Sequence, residues 1–545
     1  MAVSETTPAL GNNATSPSAR EETSPASIKK LHGREFYKSI GSPRYIIAPM
    51  VDRSEFAWRM LTRSFMSPED SQSVLAYSPM YHARLFRENP GYRAQSFHPT
   101  RAAAGHKGDD ALFLDGNPKV DRPLFVQFCA NDPDDFLEAA RHVAPYCDAV
   151  DLNLGCPQGI ARRGHYGAFL QEDWDLIYKL INRLHTELSV PITAKFRIQE
   201  SKEKTLEYAK MILSAGASII TLHGRRREQK GHNTGLADWS YIRYLRDNLP
   251  PETVIFANGN NLNHDDLERC LEATGADGVM SAEGNLTDPS IFSQPPPVGS
   301  EGREYWRGRD GRGGYRIDAV FRRYLDIVYQ YVLEQPVPER EPLYIPSDPE
   351  EGQSVTDTTT EGDVEDGPPK KKQKREKQKN SGPPNPNLRV MQGHLFQLLR
   401  PMVSSHTNVR DALARSTPRD LASYEHALSL VEQAVKEGLQ EYEQFPERFE
   451  TPPDQDLTGS KATIAEYGRP FWVCQPHVRP LPEEAIESGA LTAKKSDAKN
   501  SENGEKTENK DSPALMESNK ASEDKVPEDS VDTPTTVATD ALVNG

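Results

Sequence analysis

Eight short apolar segments recur between residues 45 and 283, each ending in polar or Gly-rich residues: YIIAPM (45–50), LAYSPM (75–80), LFVQFC (124–129), AVDLNLG (149–155), ITAKFR (192–197), IITLHG (219–224), VIFANG (254–259) and GVMSAE (278–283). Stretches with 3.6-residue apolar periodicity separate most of them, among them 132–144, 176–188, 205–216 and 265–275. A parallel strand buried on both faces reads as a continuous apolar run, with amphipathic helices in between. Eight such strands in about 240 residues predict an α/β fold, a (β/α)8 TIM barrel spanning 40–300. A doubly wound open sheet is the runner-up, weakened because the first loop has no G-x-G-x-x-G.

The pattern changes after Pro295–Pro297. Residues 317–334 and 388–440 are helical in periodicity, which predicts a small all-α domain over 301–450. Only 36% of the chain is hydrophobic, below the ~45–50% of packed chains. The deficit lies in three polar segments read as disordered: 1–30, an insertion at 346–387, and most of 451–545. Net charge is −16, which argues against nucleic acid only if it is spread evenly. It is not. Residues 347–366 hold eight acids and no base, whereas Lys370–Lys379 hold seven bases and one acid. That basic run is either a solvated linker block or a nuclear import signal that an import receptor would read, or an RNA arm. The helical region offers Arg322, Arg323, Arg389, His394, Arg400, His406, Arg410 and Arg415, a solvated face or an RNA surface. Five scattered cysteines without a CxxC pair fit a reducing compartment and no thiolate zinc site. With no apolar run of about 18 residues and no apolar leader core, the expected location is cytoplasmic, nuclear or both.

Active sites of such barrels lie at the C-terminal strand ends. Polar groups stand there almost every time: Pro49-Met50-Val51 after the first strand, Gln127 on the third, Asn153 and Cys156 on the fourth, Lys195 and Arg197 on the fifth, His223 on the sixth, Asn258, Gly259 and Asn260 on the seventh, and Ala282 and Glu283 on the eighth. A lysine inside a buried sheet is costly unless it meets an anion. Lys195, His223, Gln127 and Asn258 together predict a site for a large polar cofactor with a phosphate. Gly259 and Gly284 would let the chain approach that phosphate closely. A lone cysteine is ordinarily an inert core residue, but the Gly-Cys-Pro turn at Cys156 sits on the catalytic end of a strand.

These residues resemble the tRNA-dihydrouridine synthase family of flavoproteins, strongly over 45–300 and more loosely to about 440. The resemblance rests on Ala48-Pro49-Met50-Val51, on DLNLGCPQ (151–158) followed by GHYGAFL (164–170), on Lys195, and on HGRRREQ (223–229). The segments VQFCANDP and REQKGHNTGLADW look most like the eukaryotic subfamily acting on uridines 16 and 17 of the tRNA D-loop. Where bacterial members often have Gly-Arg, this chain has Ala282-Glu283, so main-chain groups are expected to make the phosphate contacts there. The resemblance implies FMN and NADPH as cofactors, Lys195 as the flavin lysine and Cys156 as the general acid. It implies cofactor contacts from 49–51, Gln127, His223, Asn258–Asn260, Ala282 and Glu283, and substrate contacts from Asn153 and Arg225. Two rival readings are a flavin barrel acting on a small pyrimidine-like molecule and a non-catalytic RNA-binding protein.

Overall fold

A computed structural model of the chain describes residues 30–67, 70, 73–348, 385–450, 457–481, 483 and 484. The N-terminal tail through 29, the basic run 370–379 and the acidic tail beyond 484 lie outside the described residues. Nine strands form one parallel sheet: β1 (Tyr45–Ile47), β2 (Val74–Tyr77), β3 (Tyr81–His82), β4 (Leu124–Cys129), β5 (Ala149–Leu154), β6 (Ile192–Arg197), β7 (Ile220–His223), β8 (Ile255–Asn258) and β9 (Gly278–Ser281). β1 pairs with both β2 and β9, and β2 pairs with β4, so the sheet closes on itself. β2 and β3 are two halves of one barrel strand, interrupted at Ser78-Pro79-Met80, where proline cannot donate to the ladder. The result is an eight-stranded (β/α)8 barrel. β2, β4, β6, β7, β8 and β9 are buried along their whole length, as the apolar runs require.

Helix α1 (Phe56–Arg63) follows β1; α2 (Pro133–Val143), α3 (Trp174–Glu187), α4 (Lys202–Ser214), α5 (Ser240–Asn248) and α6 (His264–Thr274) cover the later crossovers. Their starts are written in the sequence. Asp132, Asp173, Ser201 and Asn263 accept first-turn amides, satisfying donors that have no partner within the helix.

Residues 91–121, an insertion between the second and third predicted strands to which the sequence assigns no role, are wired to the barrel by charge. Arg59 of α1 is fully buried and pairs with Asp115 at 2.8 Å and Asp121 at 2.5 Å; Arg63 pairs with Asp121 at 2.8 Å. Burial alone would raise the Asp121 carboxyl, but Arg59 and Arg63 hold it below its ordinary value. Removing one member leaves an uncompensated buried charge. Asp121→Ala is expected to cost about 3–5 kcal/mol in a denaturant or thermal unfolding measurement.

The later region holds α7 (Ile317–Ile327), α8 (Pro386–Leu398), α9 (Thr407–Arg415), α10 (Leu421–Gln444) and α11 (Gly459–Tyr467), preceded by a hairpin of β10 (Tyr305–Arg307) and β11 (Gly313–Tyr315). α8 docks beside the barrel mouth. Its Asn387 accepts from the Ala57 amide at 2.8 Å, and its buried His394 stacks on Trp58 at 4.0 Å with Nε2 2.9 Å from Glu55. Several arginines of the basic face expected here carry ion pairs, partly buried for Arg322 and Arg323 and at the surface for Arg389 and Arg410. Arg322 pairs with Glu432, Arg323 with Glu304, Arg389 with Asp52 and Arg410 with Asp411. Part of the segment read as a tail from 451 is folded. Trp472 is fully buried against Trp306 and Phe449, with its carbonyl accepting from Ile317 at 2.9 Å.

Candidate active site

The C-terminal strand ends surround an open cavity lined by residues on or just after β1, β4, β5, β6, β7, β8 and β9. Strand register sets its chemistry. Gln127 stands opposite Asp151, Asn153 opposite Lys195, Arg197 opposite His223, and His223 opposite Asn258. Residues two apart on a strand share a face. Asp151 with Asn153, and Lys195 with Arg197, are therefore presented to the same side.

One wall is a hydrogen-bonded chain that fixes the Cys156 turn. Thr193 Oγ1 donates to Asp151 Oδ1 (2.6 Å), and Gln127 Nε2 donates to Asp151 Oδ2 (2.8 Å). Asn153 Nδ2 donates to Gln127 Oε1 (2.8 Å), while Asn153 Oδ1 accepts the Gly155 and Cys156 amides at 3.1 and 2.9 Å. Asn153 thus spends its carbonyl on the turn itself, leaving one amide hydrogen for anything in the cavity. Asp151 was absent from the sequence-derived site. Burial pushes its carboxyl up to about 6, against the pull of Thr193, Gln127 and Lys195. An aspartate in the middle of an apolar strand is the signal that marks it.

Cys156 lines the cavity with its thiol half-buried. Burial raises the thiol pKa, partly offset by the Gln158 amide and by Arg197, Lys195 and Lys230. Behind it, Gly167 has φ +64°, and a Cβ there would lie 2.9 Å from the Cys156 Cβ. Only glycine fits, which gives a steric reason for the Gly-x-x-Gly stretch after the cysteine. Cys129 is buried nearby beside Ala161 and Tyr166.

Across the cavity stand the cations. Lys195 is 8% exposed, and among the described residues nothing hydrogen-bonds its amine. Burial first, then Arg197, lowers it to about 8. Arg197, expected with Lys195 at the end of its strand but given no cofactor or substrate role, lines the same cavity, with its Nε donating to Gly155 O at 2.7 Å. Met50 contributes less than expected, because its amide already donates to Ser54 Oγ at 3.0 Å and Pro49 has none. Of that turn, the Val51 amide alone is without an acceptor among the described residues.

A second, smaller cavity shares His223, Asn258, Ala282 and Glu283 with the first and adds Arg225, Gly259 and Asn260. Arg225, expected at the substrate, is buried here instead. It donates to Gly235 O (2.9 Å), Asn260 Oδ1 (2.5 Å) and His223 Nε2 (3.1 Å). His223 is held neutral at pH 7, first by burial and then by Arg197, Lys195, Arg225 and Arg479. Gly259 has φ +110°, and a Cβ would meet Ala237 at 2.7 Å. Asn258 Nδ2 donates to Met280 O, but its buried Oδ1 has no donor. Among the described residues no cluster of three or more His, Cys, Asp or Glu could hold a metal ion, and no helix is long and apolar enough to cross a membrane.

Residues 46–303 match the family described as Dihydrouridine synthase (Dus). The chain is 43% identical over 455 residues to the tRNA-dihydrouridine(16/17) synthase [NAD(P)(+)] of Schizosaccharomyces pombe, covering 83% of this chain and 92% of that one. The Saccharomyces cerevisiae protein of the same name is 41% identical over 461 residues, covering 84% and 88%. A Mus musculus protein named tRNA-dihydrouridine(16/17) synthase [NAD(P)(+)]-like is 35% identical over 458 residues, covering 84% and 73%. Identity at this level across both barrel and helical region shows that the chain belongs to the dihydrouridine synthase family.

Proposed function

We propose that this chain reduces the C5–C6 double bond of uridines 16 and 17 in the tRNA D-loop, with FMN in the barrel mouth and NADPH as reductant. The observation that carries this reading is one cavity with a protonated thiol on one wall and an unpartnered lysine on the other. The residues fit a flavin nucleotide. The Lys195 amine has no hydrogen-bond acceptor among the described residues, Asn258 Oδ1 lacks a donor such as a hydroxyl or ring N–H, and Arg225 stands at the smaller cavity beside them. A bound, reduced flavin supplies the hydride that C6 receives.

The protein's own residues do the rest. Cys156 Sγ holds the proton that C5 needs, and its raised pKa keeps that proton on sulfur at neutral pH. Asn153 fixes the turn that aims the thiol and can offer its free amide hydrogen to the base. A uracil must leave its stack to enter a barrel mouth, so base extrusion is part of binding. The exposed Arg162, Arg163 and Arg400 are the phosphate contacts closest at hand, because the other helical-region arginines are largely committed to carboxylates. The helical region then chooses the uridine by reading tRNA shape, since one flat base carries too little information.

Lys195 gives a test with a sign. Its amine is charged below about 8, and charge favours an anionic ligand. FMN affinity should therefore be constant at neutral pH and weaken above about 8, by at most about tenfold per pH unit. A pH-independent affinity would remove Lys195 from the flavin site. On the substrate side, tRNA transcript should support NADPH consumption and free uracil should not. Equal consumption with both would favour the small-molecule reading.

A further inference from the structure

β9 delivers a carboxylate, Glu283, to the wall shared by both cavities. With a side chain only 12% exposed, it would repel a phosphate placed in the smaller cavity. It does not stand alone. Arg479, from the C-terminal segment, forms an ion pair with it, and His477 Nε2 lies 3.9 Å away. The Arg479 side chain is 10% exposed, and its Nε is buried with no acceptor among the described residues. A buried guanidinium donor without an acceptor is costly, and a ligand oxygen would satisfy it.

The segment is anchored so that Arg479 has little choice of position. Trp472 is locked in the core, Cys474 N donates to Tyr315 O at 2.9 Å, and Val473 bridges to Arg316. The cations around the smaller cavity are short of counter-charge. Burial first, then Arg479 and Arg197, lower Arg225 to about 9. Only Glu283 opposes them within that cavity's lining.

We propose that Arg479 is a phosphate ligand of the flavin nucleotide, so that the C-terminal segment completes a cofactor site otherwise built by the barrel. This rests on the flavin reading above. Arg479 does two things there: it neutralises the Glu283 carboxylate, and it offers its free Nε to a phosphate oxygen. An arginine suits this because its fork can serve carboxylate and phosphate together.

The test is a fluorescence titration of the full-length protein, stripped of cofactor, with FMN and with riboflavin, which lacks the phosphate. Wild type should prefer FMN. Arg479→Ala should weaken FMN by about ten- to a hundredfold, the range for a hydrogen bond to a charged group, and leave riboflavin unchanged. If Arg479→Ala binds FMN as wild type does, while wild type still prefers FMN, the proposal is overturned and the flavin reading stands. If the variant weakens both flavins equally, Arg479 is structural and the proposal is likewise overturned. If wild type binds neither flavin, the flavin reading itself fails.

Discussion

Cys156→Ala should slow the uridine-dependent step by ~10²–10⁴ while flavin content and NADPH oxidation stay normal. The thiol matters only when C5 must gain a proton. Within the Cys156 turn no other side chain can supply one, because Asn153 and Gln127 are amides. Asp151 is fully buried beneath them and bonded to Thr193 and Gln127, and Glu283, on the same cavity wall, is ion-paired with Arg479. Stopped-flow mixing of pre-reduced protein with unmodified tRNA reads the step directly. Wild type should hold its rate through neutral pH and lose it as pH rises through the raised thiol pKa, because the group must be protonated to act. Wild-type kinetics in the alanine variant would make Cys156 a packing residue.

Lys195→Ala should empty the flavin site. Truncating one partner of a buried charge pair costs about 2–5 kcal/mol, which is roughly thirty- to several-thousandfold in affinity. The apoprotein should remain folded, because the substitution removes a buried cation that nothing hydrogen-bonds among the described residues. Absorbance of the purified variant checks the flavin, and circular dichroism checks the fold. Normal flavin content would contradict the site.

The barrel is legible in the sequence because parallel strands buried on both faces have no polar phase to hide behind. β4 through β9 all lie within the apolar runs. The second strand is the exception, since Pro79 splits one run into β2 and β3. Most of the cavity lining was legible for the opposite reason: Gln127, Lys195 and His223 are polar groups where the pattern demands apolar ones. Arg197 carries the same signal, and so does Asp151, which the strand-end pattern alone does not single out because it lies in the middle of β5. Arg225 illustrates the limit. Its charge is visible in the sequence, but its burial against His223 and Asn260 follows from a loop whose path no local pattern encodes. The insertion at 91–121 was opaque because what holds it, Arg59 with Asp115 and Asp121, joins residues about sixty apart. In the helical region the sequence shows the arginines but not the carboxylates that Glu304, Glu432 and Asp52 bring to them. The C-terminal segment hid best, because the four-residue apolar run Phe471–Cys474 is too short to show a periodicity.

The most direct measurement is positional mapping of dihydrouridine in an unmodified tRNA transcript after incubation with the purified protein, FMN and NADPH. Dihydrouridine confined to the D-loop at positions 16 and 17, and absent when Cys156→Ala replaces wild type, is the expected result. A transcript that stays unmodified with flavin-loaded wild-type protein, or one modified equally by the Cys156→Ala variant, would contradict it.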